Sequence, residues 1–349
     1  MMLQKQLLVC LLPILSMATQ GIVRASSTPK AVPEMQVIPM PYDRASFQRD
    51  GLELARYHFG SELPRPFLYP IIGPSGRSLT RMGHPHDPES HSHHNSVWIS
   101  HHDTNGVNFW GDRGDGKIRH KRIVEYIDTD AHASLIAENE WIKEDDTALL
   151  LETRRIRVIP LPDAEWLLIM DMTFKAANGS VILGKTPFGM IGVRMAKTIG
   201  VHDGGGTIRN SEGAVNEKEV LWKQAKWVDY SGAITNDTME GIALFDHPKN
   251  PNFPSTFHVR NDGWMGASLT FSGPREIRPN ESLHLCYGLY IHSGLKSQRK
   301  FRRSGKLLRK FRPMKKSEII LDFSQFSHLF IPIMAANVGP KNPRWQAAK

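Results

Sequence analysis

The chain has little cysteine: Cys10 and Cys286 are the only two among its 349 residues. Cys10 lies in an apolar N-terminal stretch that we interpret as a removable export signal, which leaves Cys286 alone in the mature protein. An intramolecular disulfide is then impossible. The fold must therefore be held together by a hydrophobic core rather than by covalent cross-links.

Long apolar runs are also scarce. The run within Met1–Ala25 follows Lys5 and is about a dozen residues long, which suits a secretory signal and is too short to span a bilayer. We expect cleavage near Ala25, with a retained membrane anchor as the alternative, and a Pro- and Ser-rich linker over Ser26–Asp43. No second apolar segment reaches transmembrane length. The sequence thus predicts a periplasmic or secreted protein.

Acidic residues are absent from Lys296–Lys316, which holds eleven Lys and Arg. The formal charge of +9 therefore arises in this segment, and the rest of the chain is close to neutral. Four apolar residues fall at spacings that could form one face of a helix: Phe301, Leu307, Leu308 and Phe311. We expect residues 296–349 to form a basic tail, partly disordered or helical, that is dispensable for folding and could touch an anionic surface.

A helical period of apolar residues is missing before the tail. Gly204-Gly205-Gly206 also lacks the strand and helix that flank a phosphate-binding loop. Alternating or β-branched runs recur instead, at residues 52–59, 117–128, 132–143, 148–159, 166–174, 181–183, 241–245 and 283–292. Strands at such intervals predict an all-β fold, a large antiparallel β-sandwich that forms a single domain over residues 44–295.

Histidine is concentrated in one stretch, since seven of the sixteen lie between His84 and His102. Imidazole titrates near neutral pH and is the commonest metal ligand. Each buried ring nitrogen also needs a partner, so a cluster this dense marks a candidate site. Turn residues before it predict a loop that carries His91, His93 and His94. A strand at residues 97–99, a tight turn at Asn105-Gly106 and a second strand should follow.

Three further stretches hold polar groups suited to chemistry. They are residues 184–196 with Lys185 and Arg194, residues 227–232 with Trp227 and Asp229, and residues 245–264 with Asp246, His247, Asn250, His258 and Arg260. Asp beside His offers a general base, and Arg or Lys can stabilise a developing oxyanion. The alternatives are an ordinary turn at Asp246-His247, core aromatics, and arginines that only form ion pairs.

Several motifs occur together and in order from about Arg65 to Gly294. They are RPFLYP at 65–70, HSHHNSVW at 91–98, NGVNFW at 105–110, KTPFGMIGVR at 185–194, WVDYSG at 227–232 and DHPKNPNFP at 246–254 with FHVR at 257–260. In this combination the chain resembles a bacterial family of unknown function that carries the label methane oxygenase PmoA. The resemblance implies an exported β protein from sugar-degradation settings, with a β-sandwich of the galactose-mutarotase type.

The chain departs from that family at one motif. Where the family typically reads Asp-His-Pro-His-His-Arg, residues 90–95 read Ser-His-Ser-His-His-Asn. Ser90 and Asn95 thus replace an acidic residue and an arginine that would be natural partners of the histidines.

We therefore expect an exported carbohydrate-active protein, an enzyme that acts on a sugar or sugar-derived small molecule as a hydrolase, lyase or epimerase. The candidate catalytic residues are His94, His247, His258, Lys185, Arg194 and Arg260. The candidate substrate-binding residues are Trp98, Asn105, Trp110, Trp227, Asp229 and Asn250. A divalent metal could be held by His91, His93 and His94. We expect these groups to meet at one end of the sandwich, and no nucleic acid to bind there.

Two alternatives stay open at this point. A non-catalytic carbohydrate- or cell-surface-binding module would use the same aromatic residues without proton transfer. A metal-bearing cupin barrel is also conceivable, because Glu89 follows His86 by three positions.

Overall fold

The computed structural model describes residues 31–83, 91–111 and 114–310 of the chain. Contacts within the chain separate residues 1–32 from residues 33–349, and only residues 31 and 32 of the first unit are described. The expected export signal, His84 and His86 lie outside the described residues. Within the described residues, no helix is long and apolar enough to cross a membrane.

Two large antiparallel sheets make up most of the second unit. The nine-stranded sheet runs, in spatial order, β1 (Met35–Met40), β2 (Arg44–Arg49), β3 (Leu52–His58), β4 (Phe67–Ile71), β5 (Val97–His101), β11 (Gly189–Arg194), β17 (Trp264–Ser268), β16 (Thr256–Arg260) and β13 (Lys223–Gln224). The eight-stranded sheet runs β12 (Thr207–Asn210), β14 (Trp227–Thr235), β15 (Thr238–Asp246), β19 (Leu283–Ser293), β9 (Trp166–Ala176), β8 (Ala148–Pro160), β7 (Ala133–Lys143) and β6 (Gly116–Asp128).

Smaller elements complete the described part of the chain. They are the two-stranded sheet of β10 (Val181–Leu183) and β18 (Arg275–Ile277), a 3-10 turn at Lys197–Ile199, α1 (Val201–Gly204), α2 (Asn216–Val220) and α3 (Gln298–Lys310). The predicted all-β, antiparallel β-sandwich is confirmed. The large sheets are open rather than closed into a barrel, so the cupin alternative is wrong.

The main core lies between the two large sheets and follows from strand alternation. In β5, Val97 and Ile99 point into this core, whereas Trp98 points to the opposite, outer face of the nine-stranded sheet. The eight-stranded sheet contributes residues such as Leu168 and Tyr287 to the same core. Each large sheet therefore has an inner face in the core and an outer face with its own side-chain cluster.

The outer face of the eight-stranded sheet is covered by α3. Phe301 and Leu308 of this helix are each 1% exposed, and they pack with Trp227, Phe245 and other residues of β9, β14, β15 and β19. The tail therefore contains a docked helix. Because α3 shields an apolar sheet face, its packing argues against the expectation that everything from Lys296 onward is dispensable for folding.

Two other local expectations need correction. The expected linker Ser26–Asp43 contains β1, which pairs with β2 at the edge of the sheet and buries Met35 and Val37. Asn105-Gly106 does form the tight turn, with φ of 52° and 80°. The prediction of a second strand after this turn is wrong. Thr104 and Val107, on either side of the turn, form a single β-bridge instead of a hairpin.

Candidate functional site

Aromatic rings cover the centre of the nine-stranded sheet's outer face. Trp98 of β5 and Trp264 of β17 have ring centroids 5.4 Å apart, and Trp110 packs against both, at 5.2 Å and 5.5 Å. Gly192 of β11 lies between the two strands. A Cβ there would come within 2.6 Å of the Trp98 ring and 2.7 Å of the Trp264 ring, so only glycine allows this approach.

The histidine loop lies on this aromatic layer. The His94 ring stacks on Trp98 and on Trp264, at centroid distances of 5.2 Å and 5.1 Å. His91 stacks on His94 at 4.7 Å, and His93 meets His94 edge to face at 4.4 Å. The three predicted histidines therefore converge, although on the outer face of a sheet rather than at one end of the sandwich.

Arg65 holds the histidine loop in place through hydrogen bonds. Its side chain is fully buried, and it donates hydrogen bonds to the His93 carbonyl at 3.0 Å and to Asn95 Oδ1 at 2.6 Å. It also donates to the carbonyls of Trp110 at 2.8 Å, Gly111 at 3.2 Å and Phe109 at 3.3 Å. Asn95 is thus a partner of Arg65, a contact that an arginine at position 95 could not accept.

His258 of β16 extends the cluster towards solvent. Its ring lies 5.7 Å from Trp264, edge to face, and 5.3 Å from Phe188. On its far side is Trp222, at 6.3 Å, which is 51% exposed. Trp222 has a φ of 59°, unusual for a bulky residue and a form of strain that clusters at functional sites. We call Trp98, Trp264, Phe188, His91, His94, His258 and Trp222 the outer-face site.

Two histidines of this site, His94 and His258, are held neutral. Burial lowers the pKa of His94 far below its ordinary range, and His93 and Arg194 lower it further. Burial also lowers the pKa of His258 to about 4; Arg260 adds to this shift and Asp262 opposes it. Near pH 7 both imidazoles are therefore neutral, and neither serves as a cationic acid.

Four polar atoms at the site have no hydrogen-bond partner. They are Nδ1 of His91, His94 and His258 and Nε1 of Trp98, all buried, and none is paired within residues 31–83, 91–111 and 114–310. Buried polar atoms are normally satisfied, and an unpaired one costs roughly 1–3 kcal/mol. Four of them in one ring cluster are unusual for packing alone and mark the cluster as a candidate site.

The ring arrangement does not suit the expected metal. The planes of His91 and His94 are only 14° apart and stacked, so their in-plane lone pairs cannot converge on one ion. In the part of the chain that the structure describes, no three His, Cys, Asp or Glu residues are placed to share a metal. The divalent metal stays a prediction that this arrangement does not support.

Arg194 and Arg260 lie near the site in ion pairs. Arg194 is fully buried on β11, and its Nη1 donates to Asp262 Oδ1 at 2.9 Å. Arg260 is exposed and lies 3.3 Å from Glu217. Lys185 is exposed on the loop before β11. The structure therefore joins His91, His93, His94, His258 and Arg194, with Arg260 at the margin.

His247 is separated from this group. It follows β15 of the eight-stranded sheet, where its Nδ1 accepts a hydrogen bond from the Lys249 N–H at 3.1 Å. The charges that act on it come from Lys249, His284 and Asp171, none of which belongs to the outer-face site. The expected single cleft is wrong for His247, because its strand ends beside α3.

Other expected binding residues have structural contacts elsewhere. Asp229 is fully buried and accepts hydrogen bonds from His292, Arg209 and Ser231 beneath α3. Asn250 ties Asp246 to the backbone of Cys286. Three more of them, Trp98, Trp110 and Trp227, are 0%, 4% and 4% exposed and are too buried to be ring platforms. The Asn105 side chain accepts a hydrogen bond from the Ile182 N–H.

Trp222 and Arg65 are functional candidates that sequence reasoning missed. Trp222 stands in a polar stretch, and the one available signal was an isolated tryptophan among lysines. Arg65 lies within the RPFLYP motif, but its five acceptors are spread over residues 93–111, a pairing that no local pattern reveals.

Comparison with known proteins gives a family and little more. No curated protein matches the chain. Among solved structures, it is similar to the GalM/aldose epimerase homologue from C. elegans, with 8% identity over 75% of this chain and 99% of that chain and a TM-score of 0.32. A likeness that distant supports no statement about activity. A family model matches residues 44–304, most of the described sandwich and the first half of α3. The chain belongs to the family of unknown function DUF6807.

Proposed function

We propose that the outer-face site binds a sugar or sugar derivative and that His258 moves a proton on the bound ligand. The observation that carries the proposal is the set of four buried, unpartnered atoms among aromatic rings: Nδ1 of His91, His94 and His258 and Nε1 of Trp98. A sugar offers hydroxyl groups to polar side chains such as His258 and an apolar ring face to exposed aromatic side chains such as Trp222.

Trp222 supplies the ring face that an approaching sugar would meet. Half of its surface is open to solvent, and its ring lies beside both His258 and Phe271, at 6.3 Å and 6.1 Å. Sugar rings stack on exposed aromatic faces because their C–H groups form a flat apolar surface. A sugar on Trp222 would have its edge next to the His258 ring.

A general base must be in its neutral form, and His258 meets that condition. His258, with a pKa of about 4, is a neutral acceptor at pH 7. Hydrolysis of a glycosidic bond usually employs two carboxyl groups. Of the carboxylates near the outer-face site within the described residues, Asp262 is paired with Arg194 and Glu217 with Arg260. Proton abstraction of the epimerase or lyase type therefore suits the site better than hydrolysis.

Binding can be tested by saturation-transfer NMR with aldoses, keto-sugars and oligosaccharides. We expect at least one class to bind, and Trp222→Ala to weaken that binding roughly tenfold. Tyr42→Ala is the matched control, because Tyr42 is also an exposed aromatic residue with positive φ, at 61°, and lies on the β1–β2 turn. Equal binding by the Trp222 variant and the Tyr42 variant would contradict the proposal.

A non-catalytic sugar-binding module is the second candidate. The burial of His94 favours it, because this ring is 6% exposed and enclosed by Trp98 and Trp264. Such a module would bind sugar on Trp222 without any proton exchange at His258.

We also propose that the protein is exported, on the strength of the pattern in Met1–Ala25. N-terminal sequencing of exported protein should then find a mature chain that starts near Ser26, and a retained Met1 would contradict the proposal. The name methane oxygenase PmoA stays an expectation from resemblance, since the matching family is one of unknown function.

A further inference from the structure

A cavity lies on the opposite side of the molecule from the outer-face site, between α3 and the ends of β14 and β15, and we call it the α3 cavity. It has a volume of about 180 Å³. Its apolar wall is formed by Trp227, Phe245, Phe301 and Leu308, and Trp227 and Phe301 are in ring contact at 4.4 Å. Gly305 also lines the cavity, and a Cβ there would lie 3.3 Å from the Phe245 ring.

The rim of the α3 cavity is cationic. Arg302, Lys306 and Arg309 of α3 line it, together with Lys226 from the segment before β14. Lys226 lies 3.8 Å from Glu212. The three helix cations are exposed and form no ion pair within the part of the chain that the structure describes. Several uncompensated positive charges around an apolar opening raise the local concentration of anions.

The polar groups of the wall are already in use. Asp246 is the carboxylate of the cavity, and its Oδ1 and Oδ2 accept hydrogen bonds from Asn250 Nδ2 and the Ser255 N–H, both at 2.7 Å. A ligand with many hydroxyl groups would therefore find few partners inside. A ligand with an apolar body and one negative charge would bury the body and leave the charge at the rim.

We propose that the α3 cavity binds a small organic carboxylate with an aromatic body. The aromatic body would lie against Phe253, a half-buried residue of the cavity lining, and the carboxylate would contact Arg302 and Lys306. This site is separate from the outer-face site and does not depend on the proposed sugar chemistry. Because the ligand would bridge α3 and the sheet, its binding should raise the melting temperature of the protein.

The test is titration of the full chain with 4-fluorobenzoate, followed by ¹⁹F NMR, with 4-fluorobenzamide and acetate as probes that lack the charge or the ring. We expect saturable binding of 4-fluorobenzoate, and at least tenfold weaker binding of the other two. Arg302→Ala with Lys306→Ala should weaken 4-fluorobenzoate binding about tenfold or more. Arg303→Ala is the matched control, an exposed cation of the same helix that does not line the cavity.

Three outcomes would overturn the proposal. The first is an absence of saturable 4-fluorobenzoate binding to the full chain. The second is equal binding of the benzamide, which would remove the role of the charge. The third is an equal loss in the Arg303 variant, which would mean that the net charge of α3 attracts the anion without a defined cavity.

Discussion

Gly192 lies against two tryptophan rings, so the outer face has no room for a larger residue at this position. A methyl group at this position would overlap Trp98 and Trp264, whose ring atoms lie 2.6 Å and 2.7 Å from the added Cβ. We expect Gly192→Ala to lower the free energy of unfolding by about 1–3 kcal/mol, the usual cost of overpacking. Chemical denaturation measures this change. Gly273→Ala, where a Cβ would meet nothing within 4 Å, should leave stability nearly unchanged.

The pKa of His258 predicts how stability depends on pH. Burial lowers this pKa from 6.5 to about 4, so between these values the unfolded chain binds more protons than the folded protein. The contribution of neutral His258 to the free energy of unfolding is therefore fully present above pH 6.5 and is lost as the pH falls towards 4. From pH 7 to pH 5, His258 alone should reduce the free energy of unfolding by about 2 kcal/mol.

Urea denaturation of the wild type and of His258→Gln at both pH values checks this prediction. The variant should lose less stability between pH 7 and pH 5 than the wild type does, because glutamine does not titrate. His101, whose pKa burial also lowers to about 4, retains its share of the dependence in both proteins. An identical loss in the two proteins would show that His258 is not held neutral by the fold.

Among the elements, α3 differs most from what the sequence predicted. Its charge density suggested a solvated tail, but charge is confined to one side while Phe301, Ser304 and Leu308 are buried. We expect Phe301→Ala to cost about 3–5 kcal/mol of stability, since it opens a cavity beside Trp227. Thermal denaturation measures it. Arg303→Ala on the exposed side should change the melting temperature little.

The position of the histidine loop depends on the shape of the Arg65 guanidinium as well as on its charge. The five acceptors of Arg65 surround a planar fork of donors, and lysine can reach only some of them. We expect Arg65→Lys to lower stability by about 2–4 kcal/mol and to speed amide exchange at His94. Hydrogen exchange measures the second effect. Arg278→Lys, at an exposed position, should change neither quantity.

Strand prediction succeeded for long alternating or apolar runs, β9 and β19 among them, and failed for several strands that glycine or proline interrupts. β6, β7 and β8 were predicted within two residues at either end because one face of each strand is polar. β11 and β17 hold glycines at 192 and 266 and are buried on both faces, so neither alternates. β1 was hidden in a Pro-rich stretch because edge strands tolerate Pro39.

The candidate site was predictable only in part, for a related reason. His91, His93 and His94 are neighbours in sequence, so their density revealed them. His258 was singled out among several candidates, and His247, eleven positions earlier, lies on the other sheet. A connection between sheets can separate near neighbours, and no local pattern reports which sheet a residue joins. Trp222 reaches the site through its positive φ, a backbone feature that composition does not show.

On the scale of the whole molecule, the two large sheets carry unlike outer faces. The outer face of the nine-stranded sheet carries aromatic rings, imidazoles and polar atoms that have no partner among the described residues. The outer face of the eight-stranded sheet carries an apolar layer that is covered by a basic helix. We therefore propose sugar binding on the first face and carboxylate binding on the second. Variants on one face should leave the other ligand's affinity unchanged, because the two sites lie on opposite outer faces and share no residues.

The most direct test of the sugar proposal is proton exchange on a bound sugar. Aldoses and keto-sugars that bind the protein are incubated with it in D₂O, and ¹H NMR follows the loss of carbon-bound protons. We predict exchange by the wild type and a loss of rate of about 100-fold or more in His258→Gln, with binding retained. Exchange at the same rate in both proteins, or no exchange of any sugar that binds, would contradict the assignment of His258 as the base.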